Sequence, residues 1–482
     1  MPCTTILVGK KASRDGSTMM ARNEDSGAGH FTEKKFKVVL PEEQPRHYVS
    51  VISKVEIDLP DDPQRYTSMP NALPDEGIWG EAGINESNVA MSATETITSN
   101  PRVLGADPLV KGGIGEEDLV TIVLPYIRSA REGVERLGRL LETYGTYEKN
   151  GIGFQDADEI WWLETIGGHH WIAKRVPDDC YAVGPNQLGI DFLDLKDAFG
   201  EGRENLCSAD LLSFIEENAL DLEMGREEPL AERTDFDTRA AFGSHSDSDH
   251  VYNTPRAWVM ERHLNPTTCR WDGENADFTP ESDDLPWCLI PEKKITVEDV
   301  KYVLSSTFQG TEYDPYTRCD KKYRPIGVNR NNFVSVTVLR PGLPKEIMAV
   351  EWIAVGSNTF NSMLPVYANV TEAPAYLSFT EKTVSTESFY WANRLIGALA
   401  DAHYRKCLQP IYRYQDAMMS FGHELLRETD RAYEAGTDVH AYLAAANERS
   451  AAHAKEETDK LLGEILFIAS SGMKNGFSMS DS

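Results

Sequence analysis

The sequence predicts an α+β fold, and three observations carry that expectation. Short β-branched and aliphatic runs recur between turn residues. Two segments of helical period lie in tandem among them. From 385 to about 470 only Pro410 interrupts a stretch rich in Ala, Leu, Glu and Arg.

The first run organises the rest. Residues 4–8 and 18–21 read as two strands joined by a tight turn at Asp15-Gly16. Such a hairpin brings Arg22 and Asp25, at the end of the second strand, to the start of the first, facing Cys3. Residues 35–40 and 48–59 alternate as half-buried strands do. Residues 60–78, with five prolines and glycines, read as a loop. Trp79 to Glu86 leads into a strand over 89–96, whose small residues imply close packing or a backbone near a ligand.

Residues 116–146 change period. Leu119, Ile122, Val123, Tyr126 and Ile127 recur at helical spacing, then Val134, Leu137, Leu140 and Leu141. Pro125 interrupts the first run, Ser129 caps the second and Gly145 closes it. Strands return at 160–164, 171–175 and 181–183. Residues 190–250 are polar and acidic and read as a surface excursion with one or two helices. Residues 297–304 read as a helix, and 333–339 and 346–354 as paired strands around Pro341-Gly342-Leu343-Pro344. In the last stretch, Gly436 before Thr437-Asp438 marks a stop and a restart, so three helices are expected, packed on the rest. The chain divides into a main domain, 1–380, with a polar insertion near 190–250, and a helical extension, 381–482. The tail after Gly472 reads as disordered.

Lys plus Arg number 48 and Asp plus Glu 77, a formal charge of −29 over 482 residues. Such a surface repels phosphate backbones, and no basic cluster offsets it, which argues against a nucleic-acid partner. No apolar run reaches the roughly 18 residues of a membrane span, so no membrane partner is expected. Met-Pro-Cys has no charged-then-apolar leader. The seven cysteines (3, 180, 207, 269, 288, 319, 407) are scattered and include no CxxC pair. That pattern fits reduced thiols in a cytoplasm and speaks against a disulfide scaffold or a structural zinc site.

Cys3 is the candidate nucleophile. If the Pro2–Cys3 bond is cut, one residue holds a thiol with a reference pKa of about 8.5 and an α-amine near 7.7–8.0, a nucleophile beside a base. Arg22 and Asp25 also read as a solvated ion pair at a strand end, the commoner fate of such residues. Next to a reactive thiol, Arg22 instead lowers its pKa and Asp25 holds an ammonium group. His169-His170-Trp171 invites a metal reading, but neighbours in a strand point to opposite faces, and no HExxH is present. One histidine is expected to be buried and hydrogen-bonded, the other to line a pocket. Cys180 reads as a core thiol. No G-x-S-x-G, G-x-G-x-x-G or G-x-x-x-x-G-K-[ST] occurs, so a serine hydrolase is disfavoured and no nucleotide cofactor has a seat. Asn186, after a strand, serves a turn or donates to an oxyanion. Arg256 is either an ordinary helix-start arginine or a buried charge beside the thiol.

These segments together resemble the PepD-type cysteine dipeptidases of the N-terminal-nucleophile hydrolase superfamily. The residues that carry the likeness are Cys3-Thr4-Thr5, Arg22-x-x-Asp25, Gly168-His169-His170-Trp171, Arg175-Val176-Pro177-Asp178-Asp179, Asn186-Gln187, Tyr252-Asn253-Thr254-Pro255-Arg256-x-Trp258 and Gly310-Thr311-x-Tyr313-Asp314-Pro315-Tyr316. The resemblance implies a four-layer αββα sandwich with an added helical C-terminal segment, and removal of residues 1 and 2. More distantly the pattern is similar to bile salt hydrolases and penicillin V acylases. By that likeness Cys3, Arg22, Asp25, Asn186 and Arg256 fall on catalytic positions, while the dipeptidase resemblance makes Thr94, on a strand near the nucleophile, and His169 and His170 substrate-binding residues. The activity implied is hydrolysis of dipeptides, without a cofactor, through a thioester on Cys3. An N-acyl amide hydrolase on the same fold is the nearest rival, and a non-enzymatic scaffold the more distant one. The helical C-terminus offers a surface for homo-oligomer assembly.

Overall fold

A computed structural model describes residues 3–73, 75, 77–95, 97–317 and 321–473. The tail expected to be disordered lies, from residue 474 on, outside the described residues, as do residues 1 and 2. Two antiparallel sheets face one another. In spatial order the first holds Cys288–Leu289, Tyr181–Gly184, Cys3–Val8, Thr18–Asp25, Asn331–Leu339, Ala349–Val355 and Leu364–Tyr367. The second holds Asn205–Cys207, Trp171–Arg175, Ile160–Thr165, Asn150–Gln155, Ala90–Glu95 and Ala82–Ile84.

Alternation decides which residues meet between the sheets. Leu7 and Met20, cross-strand partners in the N-terminal hairpin, share a core with Ile160, Trp162 and Ala182. The odd-numbered glycines of Asn150–Gln155 let the layers close. A Cβ on Gly153 would lie 2.4 Å from Met20 Sδ, and one on Gly151 would lie 2.2 Å from the Trp162 ring. The other face of that strand, Ile152 and Phe154, packs with Trp161 against Val134, Leu137 and Leu141 of the helix Ala130–Tyr144. Ile6, Ala21, Val334 and Val336, on the outer face of the first sheet, share a core with Trp258, Val300, Ile396, Leu425 and Leu461 from the helices there. The layering is helix, sheet, sheet, helix.

The hairpin, the tandem helices capped by Ser129 and ended at Gly145, the helix Val297–Val303 and the pair Asn331–Leu339 with Ala349–Val355 stand as expected. So do three C-terminal helices, Phe389–Asp401, Tyr404–Ala432 and Val439–Ser471. Three expectations need correction. The stretch 48–59 is a small hairpin, His47–Val49 with Glu56–Asp58. The presumed loop at 60–78 contains the strand Tyr66–Ser68. The stretch 190–250 is not a surface excursion. It places Leu193, Leu195, Leu211, Phe214, Phe236 and Phe242 in the core and supplies the edge strand Asn205–Cys207. Its apolar residues come in short runs such as Phe192-Leu193 and Leu211-Leu212, separated by acidic stretches that give the segment its polar character.

Candidate active site

Strand pairing builds the site. Cys3 lies opposite Glu24 and Thr5 opposite Arg22, so Cys3, Arg22 and Glu24 share the face turned towards the second sheet. Cys3 is fully buried, and Arg22 Nη2 donates to its Sγ at 2.6 Å. The same nitrogen donates to Glu116 Oε1 at 3.0 Å, while Nη1 donates to the Glu81 carboxylate. Lys34 pairs with Glu24 at 2.5 Å and lies 3.8 Å from Glu81. The Phe333 ring faces both cations, 5.8 Å from the Arg22 guanidinium carbon and 5.5 Å from Lys34 Nζ.

The Cys3 backbone is held from the other side. Its N–H donates to Asn186 Oδ1 at 3.0 Å. Asn186 reaches it because the strand Tyr181–Gly184 pairs with the nucleophile strand, Gly184 opposite Thr5, and the chain turns directly afterwards. Arg256, fully buried in the helix Thr254–Leu264, donates to the Cys3 carbonyl, to Thr4 Oγ1 at 2.7 Å, to Asn186 Oδ1 at 2.7 Å and to Asn253 Oδ1 at 2.8 Å. Arg256 is thus buried, and it meets Cys3 at the backbone carbonyl.

Burial pushes the Cys3 thiol well above its ordinary pKa; Arg22 pulls it down and Glu116 and Glu81 push it up. Arg22 therefore acts in the expected direction, but in the chain that still carries residues 1 and 2 burial outweighs it. Burial and the neighbouring Arg324 bring Arg256 down to about 9, which leaves it cationic at neutral pH.

The expectation that Asp25 faces Cys3 needs correction: one residue past Glu24 in the same strand, it points to the opposite face from Arg22. Its carboxylate accepts from Arg324 and from Asn331 Nδ2. It lies near Arg256, whose charge it favours. Thr94 occupies the strand Ala90–Glu95, opposite Gly151, in the second sheet. His169 and His170 lie in a bend before Trp171–Arg175, not in the strand, so the expectation that they point to opposite faces fails. Both rings meet one carboxylate. His169 Nδ1 lies 2.9 Å from Asp107 Oδ1 and His170 Nδ1 lies 2.7 Å from Asp107 Oδ2, while both backbone N–H groups donate to Oδ2. His170 also stacks on Phe214 at 3.8 Å. Among the described residues no group of three or more His, Cys, Asp or Glu side chains is arranged to hold a metal ion.

Lys34, Glu81 and Glu116 escaped the sequence reading. Glu116-Glu117-Asp118 reads as the acidic first turn of a helix, where carboxylates are ordinary. Glu81 sits in a Gly-rich turn with nothing to announce burial. A groove of about 780 Å³ lies at the other end of the first sheet, where Arg14, Arg340, Trp352, His423 and Arg427 line it; its lining includes none of the side chains around Cys3.

The model of peptidase family C69 matches residues 2–417. A dipeptidase of Bifidobacterium longum is 52% identical, with all of both chains covered. A probable dipeptidase A of Streptococcus pyogenes is 54% identical over all of both chains. Dipeptidase A of Lactobacillus helveticus is 44% identical over 96% of each. A solved variant of conjugated bile acid hydrolase from Clostridium perfringens overlaps 80% of this chain and all of its own, with 9% identity and a TM-score of 0.34.

Proposed function

We propose that this chain, a member of peptidase family C69, is a dipeptidase that uses Cys3 as an N-terminal nucleophile once residues 1 and 2 are removed. The observation that carries the reading is the pairing of both ends of Cys3: its thiol receives Arg22, and its nitrogen is held by Asn186. With the preceding bond cut, that nitrogen is an α-amine. It takes the thiol proton, directly or through a water, and the thiolate attacks the peptide carbonyl. The Asn186 side-chain amide, with backbone N–H groups near Thr94, steadies the oxyanion. The C-terminal amino acid leaves, and water hydrolyses the remaining thioester.

Arg22 stabilises the thiolate, and Arg256 fixes the Cys3 carbonyl and the Asn186 oxygen. Asp25 supports the cationic side of the site. The family resemblance gives His169 and His170 a substrate contact, while their Asp107 bonds favour a role in holding the bend. No cofactor enters the scheme. The scatter of free cysteines supports a cytoplasmic location.

Intact mass of the purified protein beside its Cys3→Ala variant tests the reading. The wild-type chain is expected to begin at Cys3 and the variant to keep Pro2, with dipeptide turnover lost by about 10³-fold or more. Wild-type turnover by Cys3→Ala overturns the mechanism. Faster cleavage of N-acyl amino acids than of free dipeptides overturns the substrate class in favour of the acylase rival.

A further inference from the structure

The guanidinium that touches the nucleophile is held by a residue in an unusual backbone conformation. Arg22 Nη1 donates to the Glu81 carboxylate and, at 3.3 Å, to the Glu81 backbone carbonyl. Glu81 has a φ of 63°, a left-handed conformation that few non-glycine residues adopt. The surroundings impose it. Gly80 O accepts from Met69 N at 3.1 Å and from Ala82 N at 2.8 Å, and Glu81 O accepts from Ala93 N at 2.9 Å. A Cβ on Gly80 would lie 3.1 Å from both Ser68 Oγ and Val120 Cβ, so the segment is wedged between a strand and a helix.

The ion network around it has three carboxylates, Glu24, Glu81 and Glu116, and two cations, Arg22 and Lys34, all fully buried. Such networks are weak evidence for stability, because desolvation offsets the attraction between the charges. What this one does supply is a single pose for Arg22. Glu81 takes one nitrogen, Glu116 shares the other with the thiol, and Phe333 lies across from the guanidinium.

We infer that Glu81 is a positioning residue for the reaction, fixing Arg22 so that Nη2 meets Cys3 Sγ, with Lys34 as the counter-cation that lets three carboxylates share the site. The inference rests on the reading of Cys3 as nucleophile. Glu81 acts through Arg22, so its reach matters more than its charge. Glu81→Gln keeps the reach and leaves two carboxylates facing two cations. Glu81→Asp keeps the charge and suits a left-handed φ, but withdraws the acceptor by one carbon.

The test compares kcat and KM on a dipeptide for wild type, Glu81→Asp, Glu81→Gln and Cys3→Ala, with the mature N-terminus verified by mass. Alkylation of Cys3 by iodoacetamide is read on the N-terminal peptide. A misplacement near 1 Å typically costs about 10²-fold in rate. Glu81→Asp is therefore expected to lose about 10–100-fold in kcat with KM nearly unchanged, and to alkylate more slowly by a similar factor. Glu81→Gln is expected to stay within about fivefold of wild type on the same grounds. A purely electrostatic or structural role predicts the reverse order. Wild-type kcat in Glu81→Asp, or a loss in Glu81→Gln as large as in Glu81→Asp, overturns the inference. If Cys3→Ala is inactive in that same assay, only the role of Glu81 has failed; if Cys3→Ala is active, the nucleophile reading has failed first.

Discussion

Asn186 shows how one side chain divides its work. Its amide oxygen is occupied by Cys3 N–H and by Arg256, which turns the NH₂ end away from both. In the proposed mechanism this amide donates to the developing oxyanion, and removing one such donor commonly costs about 10²–10³ in kcat. Asn186→Ala is expected to lose that much on a saturating dipeptide. A loss under tenfold in steady-state kinetics would move the oxyanion donor elsewhere. That Cys3, Arg22, Asn186 and Arg256 come together was legible in the sequence, because the first two sit at fixed register in one hairpin and the others in recognisable motifs. Glu81, Glu116 and Lys34 were not. Charged residues are exposed by default, and only the assembled layers show Glu81 and Glu116 converging on one guanidinium, with Glu24 paired to Lys34. Asp25 was read as facing Cys3 but turns to the other face, because its partners Arg324 and Asn331 come from a segment some 300 residues away that the hairpin alone does not announce.

At the scale of elements, the bend between Ile160–Thr165 and Trp171–Arg175 is tied to Asp107. A Cβ on Gly167 would lie 2.6 Å from Asp107 Oδ2, so the close approach of the carboxylate depends on glycine there. Burial opposes the Asp107 charge, but hydrogen bonds from His170 and His169 hold its pKa well below the usual carboxylate range. A depressed carboxylate contributes stability that is present above its unfolded pKa, about 3.9, and is lost as pH falls through the folded value. Asp107→Asn is expected to cost about 2–3 kcal/mol at neutral pH, the scale of hydrogen bonds to a charged group. Urea titrations at pH 7, 5 and 3 check this: the gap between variant and wild type should be full at pH 7 and 5 and begin to close by pH 3. A gap independent of pH would place the stabilisation in neutral packing. Strands with alternating apolar residues were legible at this scale. Asn150–Gln155 was not, because glycine in a strand interior weakens its signal, whereas here Gly151 and Gly153 admit Trp162 and Met20.

For the whole molecule, the low-proline stretch announced three helices but not what they do for the sheet. Leu364–Tyr367 is an edge strand of the first sheet, with Asn331–Leu339, Ala349–Val355 and Thr18–Asp25 between it and the nucleophile strand. An edge strand leaves backbone groups that need partners. The helix Val439–Ser471 supplies them from side chains. Asn447 accepts from Tyr367 N at 2.7 Å and donates from Nδ2 to Tyr367 O at 3.0 Å, and Ser450 Oγ donates to Pro365 O at 2.8 Å. Asn447 is fully buried, so water has no easy way to replace it. Asn447→Leu keeps the bulk and strands both Tyr367 groups, at about 1–3 kcal/mol each. The variant is expected to unfold at a lower temperature while keeping wild-type kcat and KM below its transition, because the loss falls on the far edge of the sheet. Calorimetry and dipeptide kinetics on the same preparation separate the two effects. Equal unfolding temperatures would mean that the strand edge finds other partners; a loss of kcat at full stability would mean that the C-terminal helices govern the geometry at Cys3 as well as closing the sheet.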